Sequence, residues 1–215
     1  MNRLLLYLKD PVYCENQKPT LRHLLLLILV YLISIIPIGL VIFIVCKYFH
    51  IQHKALLISP FKTLFWGILF APIYEEILFR SLLKFKKWNI ILFIITVGAL
   101  IVYAALNSKI EFLIILSIML LSVLPFLLIV SRSKIEFFMS YNFKYFFYAS
   151  ALTFGLFHAS NFSGNIYVII AFSFILGGPQ IIVGLILGFV RMNYGLFYSI
   201  IFHIIINSTL LLRLI

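Results

Sequence analysis

The chain has 215 residues, of which 64% are hydrophobic and 11% are charged, and its formal net charge is +11. Soluble domains are about 45–50% apolar and about 25% charged, so a soluble domain of this size has no means of burying so much apolar surface. The composition therefore excludes a soluble enzyme. The positive charge does not indicate a nucleic-acid partner, because the lysines and arginines occupy short polar gaps between apolar runs, as in loops that face an anionic membrane.

The apolar runs predict an integral membrane protein that crosses the bilayer several times. At about 20 residues per spanning helix, the chain holds at most about eight helices. Residues 1–20 are predicted to be a cytoplasmic or interfacial tail, with a short helix around Leu4–Leu8, and residues 21–215 a single transmembrane helical domain. The expected fold class is all-α, a polytopic bundle of seven or eight helices.

In chain order, the predicted spans differ in length and in polarity. The first contains Pro37 and Gly39, which predict a kink. The mixed polar and aromatic stretch 131–146 is typical of an interfacial connection. The sixth span is interrupted at Gly177-Gly178-Pro179, which either divides it into two half-length helices or tilts it, so the count stays at seven or eight. The predicted apolar segments are 21–46, 61–83, 88–106, 112–130, 146–160, 166–190 and 195–214.

The basic residues predict the orientation of the bundle. Loops on the cytoplasmic side of membrane proteins are enriched in lysine and arginine. On the side of the N-terminus the chain places ten basic residues, namely Arg3, Lys9, Lys18, Arg22, Lys84, Lys86, Lys87, Arg132, Lys134 and Lys144. The opposite face receives five, namely Lys47, Lys54, Lys62, Lys109 and Arg191. A cytoplasmic N-terminus is therefore expected.

Three ionisable residues lie inside the second predicted span, Glu75, Glu76 and Arg80. A charge at the centre of a spanning helix costs about 2.5–3.5 kcal/mol, so such groups are expected to pair or to meet water. Glu76 and Arg80 are four residues apart in the favourable order, which predicts an ion pair. Glu75 is rotated by about 100° and faces another direction. The alternative is that all three lie close enough to the interface to be solvated.

Two other apolar segments carry polar side chains. His158 lies near the end of its segment, and His203 and Asn207 are four residues apart on one face of the last helix. Buried histidines often serve only in packing, and polar pairs also join helices. Together with the carboxylates, however, these residues bring two imidazoles and an amide from separate helices into an otherwise apolar bundle.

This set of side chains permits hydrolysis of a peptide bond without a covalent nucleophile. A carboxylate and a histidine can activate water, and a neutral histidine and an asparagine can donate hydrogen bonds to an oxyanion. Zinc is also possible, since Glu and His are zinc ligands, and Glu75, His158 and His203 are then the candidate ligands. The sequence contains no His-Glu-x-x-His helix, no cysteine cluster and no Gly-x-Ser-x-Gly elbow.

The order of three short motifs resembles that of a known family. Glu75-Glu76-x-x-x-Arg80, Phe154-x-x-x-His158 and His203-x-x-x-Asn207 lie on separate apolar segments. In that order they are similar to the CPBP family, the CAAX protease and bacteriocin-processing intramembrane endopeptidases, also called the Abi family, which includes the Rce1-type prenyl-protein proteases. The resemblance covers about residues 61–214.

The resemblance implies a helical bundle with a polar, water-filled intramembrane cavity that opens to the cytoplasm. Glu75 and His158 would then activate water, Glu76 and Arg80 would shape the site, and His203 with Asn207 would stabilise the oxyanion. The family has been described both as metalloendopeptidases and as metal-independent glutamic peptidases. Without a compact ligand cluster in the sequence, we expect no required cofactor, with zinc as the alternative.

The expected substrate is a membrane-associated peptide or protein, and the short chain rich in Ile, Lys, Asn and Phe suggests a bacterial plasma-membrane protein. Prenylated and bacteriocin-like substrates are both open. Two other functions remain alternatives. One is a non-catalytic membrane scaffold or bacteriocin-immunity protein. The other is a small proton-coupled carrier, although the chain shows no inverted repeat.

Overall fold

The computed structural model describes residues 2–54, 63–129 and 131–209. The predicted span boundaries at 61–62, 130 and 210–214, and Lys62, lie outside the described residues. Within them the protein is helical, apart from one two-stranded antiparallel pair, so the all-α prediction is confirmed.

The helices follow the predicted segments closely. The α-helices are α1 (Asn2–Lys9), α2 (Leu21–Phe49), α3 (Ala71–Arg80), α4 (Lys87–Leu106), α5 (Ile110–Ile129), α6 (Arg132–Tyr141), α7 (Phe143–Ala159), α8 (Ile166–Ala171), α9 (Ser173–Leu176), α10 (Gly178–Tyr194) and α11 (Leu196–Ser208). A π-helix at Thr63–Phe70 precedes α3, and a 3-10 turn at Ser81–Leu83 follows it. The strands are β1 (Gln52–His53) and β2 (Phe162–Ser163).

Helix α10 lies at the centre of the bundle. Eleven of its last twelve residues, from Val183 onward, are buried, and it packs mainly against α7, α11 and α2. Small residues permit this packing, since a Cβ added to Gly184 would come within 3.0 Å of the backbone of Ala151 on α7. The aromatic rings of Phe147 on α7 and Phe189 on α10 belong to the same buried core cluster.

The predicted interruption at Gly177-Gly178-Pro179 is present. Helix α9 ends at Leu176, α10 begins at Gly178, and Pro179 lies in its first turn, where a missing N–H costs no hydrogen bond. Gly177 also lies directly against α7, because a Cβ on Gly177 would be 2.2 Å from the carbonyl oxygen of Gly155. The break therefore places two backbones in contact where no side chain fits.

The N-terminal residues, predicted as a tail, pack against the bundle. Leu4 and Tyr7 on α1 are buried in the core cluster that contains Phe189. The following extended segment donates from the backbone N–H of Gln17 to the carbonyl oxygen of Asn193 at 2.6 Å. We call this end of the bundle the amino-terminal end.

At the opposite end, β1 pairs with β2, and Lys54 Nζ donates to the carbonyl oxygen of Ser160 at 2.8 Å. The prediction that Arg191 lies at this end is wrong. Arg191 is buried at the amino-terminal end, where it donates to the carbonyl oxygens of Arg80 and Ser81 at 3.0 and 3.3 Å. The sequence misleads because the interruption at Gly177-Gly178-Pro179 allows two crossings to be counted, whereas the segment from β2 to Asn193 runs once from the opposite end to the amino-terminal end and so brings Arg191 beside Arg80.

Among the residues that the structure describes, two helices, α2 and α4, are long and apolar enough to cross a membrane, and the count of seven or eight spans stays a prediction. Helix α2 has 29 residues and continues through Pro37, where the kink stays a prediction, and only a narrow face of it contacts the rest of the bundle. Its outward residues are large and apolar and more than half exposed, among them Ile33, Ile36, Leu40, Phe43 and Ile44.

Candidate functional site

The segment that carries the two adjacent glutamates changes helical geometry just before them. The chain is wound as a π-helix up to Phe70 and as an α-helix from Ala71. Pro72 lies in the first turn of α3 and has no N–H, so it favours the start of a new helical register there. Glu75, Glu76 and Arg80 follow on α3, and all three are buried. The alternative that they are solvated near the interface is therefore wrong.

Glu76 is held by donors from two helices. Its Oε1 lies 2.9 Å from Nη1 of Arg80, which confirms the predicted pair, and 3.0 Å from Nδ1 of His203. Its Oε2 accepts from the hydroxyl of Ser199. Glu76, Arg80 and Ser199 are fully buried. Charge-assisted hydrogen bonds of this kind fix the position of the Glu76 carboxylate and join α3 to α11.

The guanidinium of Arg80 also lies over an aromatic ring. Its Cζ is 3.8 Å from the ring centroid of Phe154 on α7, a cation–π contact. Among the described residues, its Nε and Nη2 have no hydrogen-bond partner. The ring therefore compensates for part of the hydration that Arg80 loses, and it ties α7 to the carboxylate pair.

Glu75 lies between the two candidate histidines. Its Oε1 is 3.7 Å from Nε2 of His158, and its Oε2 is 3.7 Å from Nε2 of His203. Within the described part of the chain, the Glu75 carboxylate accepts no hydrogen bond. The structure thus brings together three helices, α3, α7 and α11, at one carboxylate, as the motifs predict.

The hydrogen bonds of the two imidazoles indicate where their protons lie. Nδ1 of His158 is 2.8 Å from the carbonyl oxygen of Phe154, and Nδ1 of His203 is 3.0 Å from the Glu76 carboxylate. Both partners are acceptors, so Nδ1 carries the proton in each ring and Nε2 of each neutral ring presents a lone pair to Glu75. The space between Glu75 and the two Nε2 atoms is therefore lined by acceptors and favours a donor such as water.

The amide of Asn207 is bound outside the cluster of Glu75, Glu76 and the two histidines. Its Nδ2 donates at 2.9 Å to the carbonyl oxygen of Gly67 in the π-helix. A π-helix leaves backbone groups in a different register from the α-helix that follows, and Asn207 satisfies one of them. In this structure Asn207 joins α11 to the segment that leads into α3.

Two residues of the site were missed in the sequence. Ser199 precedes His203 by four residues and Asn207 by eight, so its polar side chain lies on the same face of α11, a signal that was available. Arg191 donates a hydrogen bond to the backbone carbonyl oxygen of Arg80. No local sequence pattern predicts that contact, because 111 positions separate the two residues.

The cluster is closed toward the amino-terminal end, where Arg191 and the 3-10 turn cover Arg80. Of the four acidic and imidazole side chains, His158 is the most exposed, at 14%. The two cavities that the structure describes are lined by residues outside the cluster. The polar cavity implied by the resemblance, and the side from which it opens, stay predictions.

The donor types around Glu75, one carboxylate and two imidazole Nε2 atoms, are those that zinc takes. Among the described residues, however, no group of three or more His, Cys, Asp or Glu side chains is arranged to hold a metal ion. The use of zinc by Glu75, His158 and His203 therefore stays a prediction.

Comparison of the chain with family models, with curated proteins and with solved structures gave no match. Function therefore has to be inferred from the site itself.

Proposed function

We propose that the protein is an intramembrane endopeptidase of the CPBP type, which hydrolyses a peptide bond of a membrane-associated substrate with water activated by Glu75. The observation that carries the proposal is the position of Glu75, 3.7 Å from Nε2 of both His158 and His203 inside an apolar bundle. A carboxylate enclosed in this way, to which no described residue donates a hydrogen bond, is costly to keep in a protein whose role is only structural.

The membrane setting is part of the proposal. Soluble monomers rarely expose an apolar patch of more than a few hundred Å², whereas α2 exposes large aliphatic side chains along most of its length. As part of the proposal, each predicted apolar segment crosses the membrane, and the segment 166–194 counts as one interrupted crossing. The basic amino-terminal end then faces the cytoplasm of a bacterium, because cytoplasmic loops are enriched in lysine and arginine.

Water held between Glu75 and Nε2 of His158 donates its protons to these two acceptors, which aims a lone pair of its oxygen at the substrate. As that oxygen attacks the carbonyl carbon, one proton passes to Glu75. The C–N bond then breaks, and the departing amine takes the proton from Glu75. General acid–base help of this kind contributes typically about 10²–10⁴-fold to a rate.

His203 is suited to stabilise the charge that develops on the substrate oxygen. Its Nδ1–H is bound to Glu76, so its Nε2 donates to the oxyanion only once the ring has become an imidazolium, and the adjacent Glu76 carboxylate compensates the charge of that form. Asn207 is assigned to this role by the family resemblance, but its amide is bound to Gly67. We therefore give the oxyanion role to His203.

The experiment is cleavage of a membrane-anchored peptide library by purified protein in liposomes, with Glu75→Gln and the exposed-site control Glu15→Gln, each with and without a strong chelator. We expect Glu75→Gln to abolish cleavage at an unchanged melting temperature, because the change is isosteric, and Glu15→Gln to cleave normally. If the chelator does not change cleavage by the parent protein, the result would support activation of water by Glu75 without a metal. If the chelator abolishes cleavage and added zinc restores it, Glu75 and the two histidines would instead be metal ligands.

Equal cleavage by the parent protein and by Glu75→Gln would contradict the proposal. A folded parent protein that cleaves nothing in the library would favour the scaffold or immunity function, and proton-coupled solute uptake by the same liposomes would favour the carrier.

A further inference from the structure

A second candidate site lies at the amino-terminal end, away from Glu75. It is a cavity of about 570 Å³ between the N-terminal segment, the start of α4 and the helix α6. None of the six predicted site residues lines it. Its volume falls in the range of about 300–1,000 Å³ that is usual for small-ligand sites.

The walls of the cavity combine positive charge with aromatic rings. Lys86 and Lys87 contribute two cations against the single carboxylate of Glu136, so the lining is net positive. Tyr13 and Trp88 supply aromatic surface beside the lysines. Lysine next to tryptophan or tyrosine is the combination that anchors membrane proteins at the level of the lipid head groups.

The backbone adds to this preference for an anion. Lys87 is the first residue of α4, and no side chain in the described part of the chain caps that helix N-terminus. The positive end of the dipole of this 20-residue helix therefore lies at Lys87 and Trp88, two of the residues that line the cavity. Trp88 is 72% exposed, which suits a ring that lies against lipid and not in the core.

We propose that this cavity binds the head group of an anionic phospholipid, with Lys86 and Lys87 at the phosphate and Trp88 at the glycerol backbone. Basic pockets between helices at the cytoplasmic side of a membrane bind such head groups. The proposal rests on the membrane placement argued above but not on peptidase activity. It gives the protein a lipid contact that fixes the depth of α4 and α6 relative to the bilayer surface.

The chain offers a direct probe, because it has two tryptophans, Trp66 and Trp88. In a Trp66→Phe background, Trp88 fluorescence is followed while short-chain phosphatidylglycerol is added to the detergent-solubilised full-length protein. Short-chain phosphatidylcholine and inorganic phosphate are titrated in parallel. We expect a saturable change with phosphatidylglycerol, and none with the zwitterionic lipid or with phosphate at the same concentrations.

Two pairs of substitutions test the role of the lysines. Lys86→Gln with Lys87→Gln is expected to weaken phosphatidylglycerol binding about 30-fold, since each lysine near an anionic lipid contributes a factor of about five. The control is Lys47→Gln with Lys54→Gln at the opposite end, which is expected to bind like the parent protein. Glu75→Gln is also expected to bind like the parent protein, which separates this proposal from the peptidase.

The proposal would be overturned if both lipids changed Trp88 fluorescence equally. It would also be overturned if the variant with Lys86→Gln and Lys87→Gln bound phosphatidylglycerol as tightly as the parent protein. A saturable response to inorganic phosphate alone would overturn the assignment to a lipid, because it would show a site for the free anion.

Discussion

Nη1 of Arg80 lies 2.9 Å from Oε1 of Glu76, and neither side chain is accessible to solvent. Removing one partner from a buried pair costs about 3–5 kcal/mol, because the other charge stays buried without compensation. We therefore expect Arg80→Ala to lower the melting temperature strongly in detergent and to abolish cleavage. Arg22→Ala, at an exposed position on α2, is the control and should leave both unchanged. If Arg80→Ala changed neither the melting temperature nor cleavage, the Glu76–Arg80 pair would not be important for the fold.

Ser199 is a positioning residue for Glu76. Its hydroxyl contacts Oε2 of Glu76, and it lies 3.1 Å from the carbonyl oxygen of Leu187. Ser199→Ala leaves a buried acceptor without its donor, which costs about 1–3 kcal/mol. We expect a lower melting temperature and a lower kcat with little change in KM. Ser208→Ala on the same helix, whose hydroxyl bonds only the backbone of its own turn, is the matched control. An unchanged kcat in Ser199→Ala would remove Ser199 from the site.

The contact between Asn207 and Gly67 predicts a structural effect. If Asn207 mainly joins α11 to the π-helix, Asn207→Ala should lower the melting temperature by an amount that corresponds to about 1 kcal/mol, the net value of a hydrogen bond. A loss of kcat at an unchanged melting temperature would instead give Asn207 the oxyanion role that the family resemblance implies. Comparison of thermal unfolding and cleavage for the same preparation distinguishes the two.

Gly155 is predicted to tolerate no side chain. A Cβ there would lie 2.2 Å from the side chain of Ile181 and 2.8 Å from the carbonyl oxygen of Gly177. Overpacking of this kind costs about 1–3 kcal/mol, so Gly155→Ala should destabilise the protein. Gly98→Ala on α4 is the matched control, since its Cβ would meet nothing within 4 Å. Alanine is favoured over glycine in a helix by roughly 0.5–1 kcal/mol, so the control should be neutral or more stable.

Lys84, between α3 and α4, gives a prediction for alkaline pH. It is buried and donates to Asn16 at 2.5 Å, and burial lowers its pKa to about 8 from an ordinary value of 10.5. Between these values the unfolded chain binds more protons than the folded protein, so the contribution of Lys84 makes stability rise with pH in this window and stay constant below it. The difference in melting temperature between the parent protein and Lys84→Met should therefore grow in favour of the parent from about pH 8 to about pH 10.5. Lys86→Met, at an exposed neighbouring position, is the matched control.

The sequence predicts the local features of this protein well. The helices and their order follow from long apolar runs, and the Glu76–Arg80 pair follows from a separation of four residues, which places both side chains on one helical face. The interruption near Gly177 follows from two glycines and a proline. Each of these depends on neighbours in the chain.

Contacts that depend on packing between distant segments are harder to predict from the sequence. His203 and Ser199 reach Glu76 from 127 and 123 positions away, and nothing near Glu76 in the chain specifies which face of α11 it meets. The π-helix at Thr63–Phe70 is apolar after Thr63 and has no local sequence signal that separates it from an α-helix. The Gly67 carbonyl that Asn207 reaches is visible only once that geometry is known.

The first twenty residues of the chain contact some of its last helices, and this has a consequence for biosynthesis. Arg3 donates to Oδ1 of Asn193 across 190 positions, and the backbone of Gln17 pairs with the same residue. This segment leaves the ribosome long before α10 is made, so its polar groups stay hydrated until the segment that contains Asn193 has been synthesised. Docking of the N-terminal segment is therefore one of the last steps of assembly, and a chain truncated before Asn193 lacks the partner that this segment requires.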